Sequence, residues 1–531
     1  MKRLIEIMAP AGSFESLEAA IKAGADSVYF GVTQLNMRAR ASANFTIEDM
    51  REIVRRAKSA KVTTYLVVNT LLYDHDIIIA KTLIDAAKDS GVDAIIAFDF
   101  AAMNYCNEIG MPVHATIQFS ISNYEAVKFF SKMTNRVVLA RELTLDQIKS
   151  IHTNIVNENL MGNEGRLMEI EVFGHGALCI AQSGRCWMSL YTDNASANRG
   201  ACLQNCRHAY KVTDLSTGKD LVLDNQYIMS AADICTIDFL DKFIDAGISV
   251  LKVEGRGRAP EYVYTVISTY KKALKDIEEG SYTKEKIEGY FKDLETVFNR
   301  KLSHGNFFLG KEIGEYSDIY GSKATEEKIY KGRITNYFGK LGVAEVTLLA
   351  GAVKVGEKFL ITGNKTGVSF GTIDEIRVDY KVVQEAAPKS IISIKVPEKV
   401  RKNDMFYIVV HKENPQDYAN VKTVTDNEDR EDYVDVKKKV DKEDVQNFTN
   451  IQTDKKKFII SLQRKNCIGC GSCAVYSPSC WKINKQTGRA DLINGVEKGN
   501  VVVAEVNREF LEENKRAADS CPMQVIKLNK D

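Results

Sequence analysis

The 531-residue sequence predicts an α/β protein: a (β/α)8-type barrel with a cysteine-bearing insertion, a small β-barrel, and a C-terminal α+β domain with its own cysteine set. Three observations predict it. Apolar, β-branched runs alternate with amphipathic helical runs through the first 320 residues, as in a parallel sheet wrapped by helices. From Lys331 the pattern changes to short strands separated by turn residues. Most of the 11 cysteines fall into two separate groups. The corresponding boundaries are 1–328, 329–413, a linker at 414–457, and 458–531.

The eight strand candidates are Leu4–Met8, Ser27–Phe30, Thr63–Asn69, Ala94–Phe98, Val113–Phe119, Val137–Ala140, Met168–Phe173 and Ser249–Val253. Helical runs such as Phe14–Ala23, Ile47–Ala60, Ile78–Ser90 and Tyr124–Lys132 lie between them. Eight strands over this length suit a closed barrel. A doubly wound open sheet is the rival, and no Gly-x-Gly-x-x-Gly turn follows any strand to support it. Closed barrels carry their chemistry where the strands end. Those ends hold Pro10–Gly12; Tyr29 and Gly31, leading to Asn36, Arg38 and Arg40; Asn69; and Asp99. Further along come His114, Thr116 and Gln118; Arg141 with Glu142; Glu171, Phe173 and His175; and Lys252, Glu254, Arg256 and Arg258.

Glu171 and Glu254 sit in apolar runs on adjacent strands, where a carboxylate needs a partner. Lys252, Arg141 or Arg256 supplies one. Several guanidiniums at one mouth suit an anionic ligand, because Arg grips carboxylate or phosphate bidentately. The competing readings are a structural imidazole at His114 and a simple ion pair between Arg141 and Glu142.

Between the last two barrel strands lies a connection of about 70 residues, far longer than an ordinary βα loop. It carries Cys179, Cys186, Cys202, Cys206 and Cys235, together with Gly200, Arg207 and Tyr210. Thiolates gathered in a reducing compartment suit an iron–sulfur cluster or zinc. The start Met1-Lys2-Arg3 runs directly into a strand-like segment without an apolar leader, so a cytoplasmic setting is expected. No apolar run reaches the ~18 residues of a membrane span. A net charge of +1 gives no global attraction to nucleic acid, so any such contact must be local. Nothing in the patterning specifies an oligomeric state.

The run Glu171-x-Phe173-x-x-Gly176-Ala-Leu-Cys179, then Gly184-x-Cys186-x-Met188-Ser189, resembles the signature of the peptidase U32 family, historically called collagenase-like. The segments Pro10–Gly12, Tyr29–Gly31, His114–Gln118, Arg141-Glu142 and Lys252–Arg256 resemble that family as well. The resemblance implies a barrel-like catalytic domain. Several family members are iron–sulfur hydroxylation factors acting on tRNA, ribosomal RNA or a quinone precursor, and the RNA-directed ones are associated with prephenate. On this basis Glu171, His175, Glu254 and Arg256 are assigned to the chemistry, and Arg38, His114, Gln118, Arg141 and Lys252 to substrate. The first three insertion ligands are Cys179, Cys186 and Cys202. The fourth is Cys206 or Cys235, with Cys235 preferred because its Ser230-Ala-Ala-Asp-Ile-Cys run resembles the family's last ligand segment. Cys106 is expected to be packing.

Residues from Lys331 resemble the family's C-terminal barrel, itself similar to a translation-factor barrel. The linker is charged and lacks apolar periodicity. Beyond it, Cys467-x-x-Cys470-x-x-Cys473 with a remote Cys521-Pro522 resembles a single-cluster bacterial ferredoxin. Cys480 is read as structural. Two [4Fe–4S] clusters per chain are therefore expected, with an electron donor and tRNA or rRNA as partners. The leading expectation is prephenate-dependent formation of 5-hydroxyuridine at the tRNA wobble position. The alternatives are rRNA cytidine hydroxylation, a U32-type protease, and a non-catalytic scaffold. Neither His-Glu-x-x-His nor Gly-x-Ser-x-Gly occurs to support proteolysis.

Overall fold

The structure is a computed structural model. It describes residues 5–39, 44–182, 184–214, 216–218, 220–221, 227–311, 315–319, 321–412, 457–464, 467, 473–474, 477, 479–484, 489–498, 501–519, 521 and 525–528. The linker 414–456, Arg40 and Cys470 lie outside the described residues. The chain divides into two compact units, Met1–Leu72 with Ala80–Pro415 and Tyr73–Ile79 with Gln416–Asp531.

The first unit begins with eight parallel strands: β1 (Glu6–Ala11), β2 (Ser27–Phe30), β3 (Thr63–Val68), β4 (Ala94–Ala97), β5 (Val113–Ala115), β6 (Arg136–Val138), β7 (Glu169–Gly176) and β8 (Val250–Val253). Each pairs with the next, and β8 pairs with both β7 and β1, which closes the barrel. The rival open sheet is thereby excluded. Around it run α1 (Phe14–Lys22), α2 (Asp49–Ser59), α3 (Ile77–Ser90), α4 (Phe100–Glu108), α5 (Tyr124–Phe130) and α6 (Leu145–Asn157). The insertion carries α7 (Met188–Asp193), and α8 (Leu240–Asp245), α9 (Pro260–Glu278) and α10 (Lys284–Glu295) follow. Local chemistry starts these helices where they start. Ser13 Oγ accepts from Ser16 N at 3.2 Å ahead of α1, and Thr144 and Gln147 form a reciprocal capping box on α6.

Alternation along the strands separates two cores. Outward residues such as Ile7, Val28, Leu66, Ile95, Val137, Ile170 and Leu251 pack under the helices. Met8, Tyr29, Tyr65, Val67, Ala94, Ile96 and Val250 fill the barrel interior. At the amino end of the barrel Arg136 closes the floor. Its Nη2 is 2.9 Å from Glu6 Oε2 and its Nε 2.8 Å from Glu169 Oε2, while Ser27 and Tyr65 donate to Glu6 Oε1.

Beyond the barrel, an eight-stranded antiparallel sheet includes Glu326–Phe338, Val343–Leu348, Lys358–Gly363, Gly367–Thr372, Ile391–Lys395 and Met405–His411. Ile334, Val346, Phe359, Ile361, Ile392 and Phe406 form its core. It belongs to the same compact unit as the barrel. Leu360 and Val368 join the barrel's outer core, and Lys22 Nζ donates to Val368 O at 2.6 Å. Gly367 takes φ +66° there, and a Cβ on it would meet Ala19 N at 2.9 Å.

The second unit contains a four-stranded antiparallel sheet of Val496–Lys498, Val501–Asn507, Lys457–Leu462 and Ile526–Leu528, a helix at Leu511–Asp519, and a hairpin of Trp481–Ile483 with Ala490–Leu492. This is the expected α+β arrangement. Trp481 is buried, and its indole N–H donates to Asn514 Oδ1 at 2.6 Å.

Candidate active site at the barrel mouth

A cavity of about 360 Å³ opens at the carboxyl end of the barrel. Its lining includes Arg38, Gln118, Arg141, Lys252, Glu254 and Arg256 from the strand ends and Cys179, Cys186, Cys202 and Cys206 from the insertion. Tyr29, Asn69 and Thr116 also face it. The strand ends and the insertion therefore build one site.

Glu254 is its one lining carboxylate among the described residues. Oε1 is 3.0 Å from Arg38 Nη2, and Oε2 accepts from Tyr29 OH at 3.3 Å. Burial pushes its carboxyl up, yet Arg38, Arg141 and Arg256 together hold it below the usual carboxylate range. Arg256 is buried and donates from Nη2 to Asn36 Oδ1. Two glycines make room for it. A Cβ on Gly12 would lie 1.9 Å from the Arg256 carbonyl oxygen, and one on Gly31 2.2 Å from Nη1. Burial lowers the Arg256 guanidinium to about 10.

Arg141 stacks over Phe173, with its guanidinium carbon 4.5 Å from the ring centre. Its Nε and Nη1 are sealed from solvent without a hydrogen-bond partner among the described residues. Glu142 is exposed, and among the described residues no ion pair joins it to Arg141. A buried guanidinium with unmatched donors is poised for an anion.

Gln118 reaches the cavity because β5 ends at Ala115 and the chain turns through a 3-10 segment, Ile117–Phe119. The sequence reading extended that strand to Phe119. Thr116 Oγ1 donates to Gln118 Oε1 at 3.0 Å, and Gln118 Nε2 to Asn69 O at 2.5 Å.

Three predicted site residues lie away from the cavity lining. His114 sits lower in the barrel interior, its ring 4.9 Å from that of Tyr65. Burial, with Arg136 and Lys252 nearby, pushes its imidazole well below its usual value, so it is neutral and adds no charge to an anion site. Glu171 is fully buried and pairs with Lys252 Nζ at 3.0 Å. Lys252 in turn lies over the Tyr29 ring at 4.6 Å and reaches the cavity above.

His175 corrects the alternation argument. Glu171 and Phe173 face inward, so period two places His175 inward as well. The β7–β8 register instead shifts between Lys252 and Val253: Phe173 pairs with Lys252, but His175 pairs with Val253. That bulge turns His175 to the outer face, where Nδ1 is 3.3 Å from Tyr270 OH on α9. Burial lowers its imidazole to about 3.

The cysteines divide similarly. Cys179, Cys186, Cys202 and Cys206 share the cavity, and Cys206 lies within electrostatic reach of the other three. Cys235, the preferred fourth ligand, is in the core on a short strand, Asp233–Cys235, antiparallel to the end of β7. Its Sγ is 4.0 Å from Tyr270 OH, and burial pushes its thiol up to about 12. Among the described residues no three His, Cys, Asp or Glu converge on a single ion position. A cubane cluster makes no such demand, since its four ligands attach to four different irons and stand wider apart. The donor set of four thiols with basic neighbours fits a cluster.

Arg207 fixes the insertion over the mouth. Nη2 donates to Leu178 O at 2.6 Å, and Nη1 to Ser230 Oγ at 3.1 Å. Arg300 and Arg185 are site residues that the sequence reading missed. Arg300 lines the cavity from the segment after α10, 3.5 Å from Asp233. Arg185 Nη2 donates to Gln118 O at 3.2 Å. Neither stands at a strand end, where the sequence reading sought the basic residues of the mouth. In the C-terminal domain Cys473 and Cys521 are buried and Cys467 half-buried, with Ala490 N donating to Cys467 Sγ at 3.3 Å. A backbone N–H aimed at a sulfur fits a cluster thiolate.

Comparison with known proteins places these features. Residues 460–528 match the 4Fe-4S single cluster domain, so the chain carries an iron–sulfur cofactor there. A protein named collagenase from Porphyromonas gingivalis is 50% identical over 402 residues, 76% of this chain and 97% of that one. The tRNA hydroxylation protein P1 of Bacillus subtilis is 33% identical over 344 residues, 62% of this chain and 77% of that one. A 23S rRNA 5-hydroxycytidine synthase of Escherichia coli is 34% identical over 274 residues, 51% of this chain and 39% of that one. Residues 12–316, the barrel with its insertion, match peptidase family U32, and the chain belongs to that family.

Proposed function

We propose that this protein is an iron–sulfur-dependent RNA hydroxylation enzyme whose product is 5-hydroxyuridine at the tRNA wobble position, with prephenate as the required metabolite. The observation that carries the reading is Arg141: a guanidinium with two sealed, unpaired donors beside four cysteines. Prephenate offers two carboxylates to Arg141 and Arg256. Arg38 and Tyr29 orient Glu254, which stays ionised. Gln118 and Asn69 supply amides of the kind that read a base edge. Cys179, Cys186, Cys202 and Cys206 would hold a [4Fe–4S] cluster, which would supply redox chemistry at the mouth, and Cys467, Cys473 and Cys521 would help hold a second, whose chemistry would be electron transfer. The relatives named for tRNA and rRNA hydroxylation support this class of substrate.

Nucleoside mass spectrometry of tRNA and rRNA from a deletion strain tests it. Loss of 5-hydroxyuridine from tRNA, restored by the wild-type gene, is the expected result. Loss of a hydroxylated cytidine from rRNA redirects the reading to that substrate. Intact modification in both RNAs refutes it.

The relatives named collagenase favour a second reading, proteolysis. Against it, no histidine lines the cavity among the described residues to activate a serine or cysteine. Release of peptides from gelatin by the purified protein, abolished by cavity substitutions, would establish it.

A further inference from the structure

We propose that Trp187 and Tyr191 form a stacking platform for unpaired RNA bases flanking the nucleotide that enters the cavity. The proposal rests on the RNA reading above and adds how the strand is held. Trp187 is 74% exposed and Tyr191 91%, although such side chains ordinarily bury most of their surface. Trp187 caps α7 and Tyr191 follows one turn later: Tyr191 N donates to Trp187 O at 2.7 Å, which puts the two residues on the same side of the helix start.

That face is fixed at the site. Trp187 directly follows the cavity-lining Cys186. Leu203 N donates to Ser189 Oγ at 3.0 Å, which ties α7 to the Cys202 loop. Charge complementarity selects the occupant. Among the described residues, six arginines and Lys252 line the cavity against the single carboxylate of Glu254, in a chain whose net charge is only +1. An aromatic pair beside a concentrated positive field matches a single strand, which offers a base face and a phosphate together. A duplex hides its base faces.

The test uses the full-length protein, purified anaerobically, with a fluorescein-labelled unstructured 17-nucleotide RNA and its duplex. The doubly substituted W187A/Y191A protein should bind the single strand about 10- to 100-fold more weakly, and W187F should stay within about threefold of the parent. Both positions are solvent-exposed, so unfolding does not confound the result. Trp187 also reports directly, because the other tryptophan of the chain, Trp481, is 1% exposed. Saturating single strand should change the emission of the parent but not of W187F. Single-strand affinity of W187A/Y191A within twofold of the parent overturns the platform, as does a loss of binding to anionic phospholipid vesicles with RNA binding unchanged. If the substitutions abolish single-strand binding while a deletion strain keeps all its hydroxylated nucleosides, the platform stands and the hydroxylation reading falls. If the deletion removes a nucleoside and the substitutions leave binding and modification unchanged, the platform alone falls.

Discussion

Arg141 lies with its guanidinium 4.5 Å above the Phe173 ring, and its sequence neighbour Glu142 points into solvent. The arginine is held by an aromatic face rather than by a carboxylate, which leaves donors for a ligand. Each charge-assisted contact to a ligand carboxylate contributes about 1.5–3 kcal/mol. Arg141→Ala should therefore weaken binding of the anionic metabolite by about one to two powers of ten and abolish RNA hydroxylation in cells. The cluster absorbance should be unchanged. Full modification by a stably folded Arg141→Ala protein would refute the anion site.

Iron analysis separates the candidate ligands. Two [4Fe–4S] clusters correspond to about eight irons per chain. Cys206→Ser should lower this to about four, because Cys206 shares the cavity with Cys179, Cys186 and Cys202. Cys235→Ser should leave the iron unchanged, because that thiol packs in the core against Tyr270. Truncation after Val410 should remove about half the iron. Stoichiometric zinc without iron would sink the cluster assignment.

The fold was legible because each barrel strand is an apolar, β-branched run, and alternation survives along most of them. Glu254, Arg256 and Arg141 were legible because they stand just past strand ends, where a barrel puts its site. His175 was misplaced because one bulge reverses every side chain beyond it, and nothing local in the sequence announces a shift of register. The position of Cys235 was hidden for a related reason. Its strand pairs antiparallel with β7 outside the parallel order, a contact set by tertiary packing rather than spacing. Arg300 comes from a segment with no barrel periodicity, beyond α9 and α10 in the chain, and reaches the mouth through tertiary packing.

The barrel floor should respond to mutation quite differently from the mouth. Arg136 is 4% exposed and holds both Glu6 and Glu169, with Tyr65 and Ser27 completing the network. Removing the cation breaks this buried ion pair with Glu6. Arg136→Ala should cost about 3–5 kcal/mol in anaerobic urea unfolding. A change below 1 kcal/mol would show that water or relaxation repairs the floor.

The Glu171–Lys252 pair gives an asymmetric prediction. Glu171 is fully buried, and its Oε2 has no partner among the described residues, so Lys252 is the group that neutralises it. Lys252 has more support: the Tyr29 ring at 4.6 Å, the Phe173 ring at 5.4 Å, and access to the cavity. Lys252→Met should therefore destabilise by about 3–5 kcal/mol, because it strands a buried carboxylate. Glu171→Gln should cost less, since the amide carries no charge and the lysine keeps its aromatic neighbours. Combining the two should recover much of the Lys252→Met loss, giving a coupling energy above about 1 kcal/mol in a double-mutant cycle. Additive losses would mean that the two charges do not depend on each other. The same Glu171→Gln protein also settles whether that residue does chemistry. If Glu171 acts on substrate, a folded, cluster-replete Glu171→Gln protein should lose RNA modification entirely. If it serves only to balance Lys252 beneath the mouth, modification should persist at a rate limited by the altered position of that lysine.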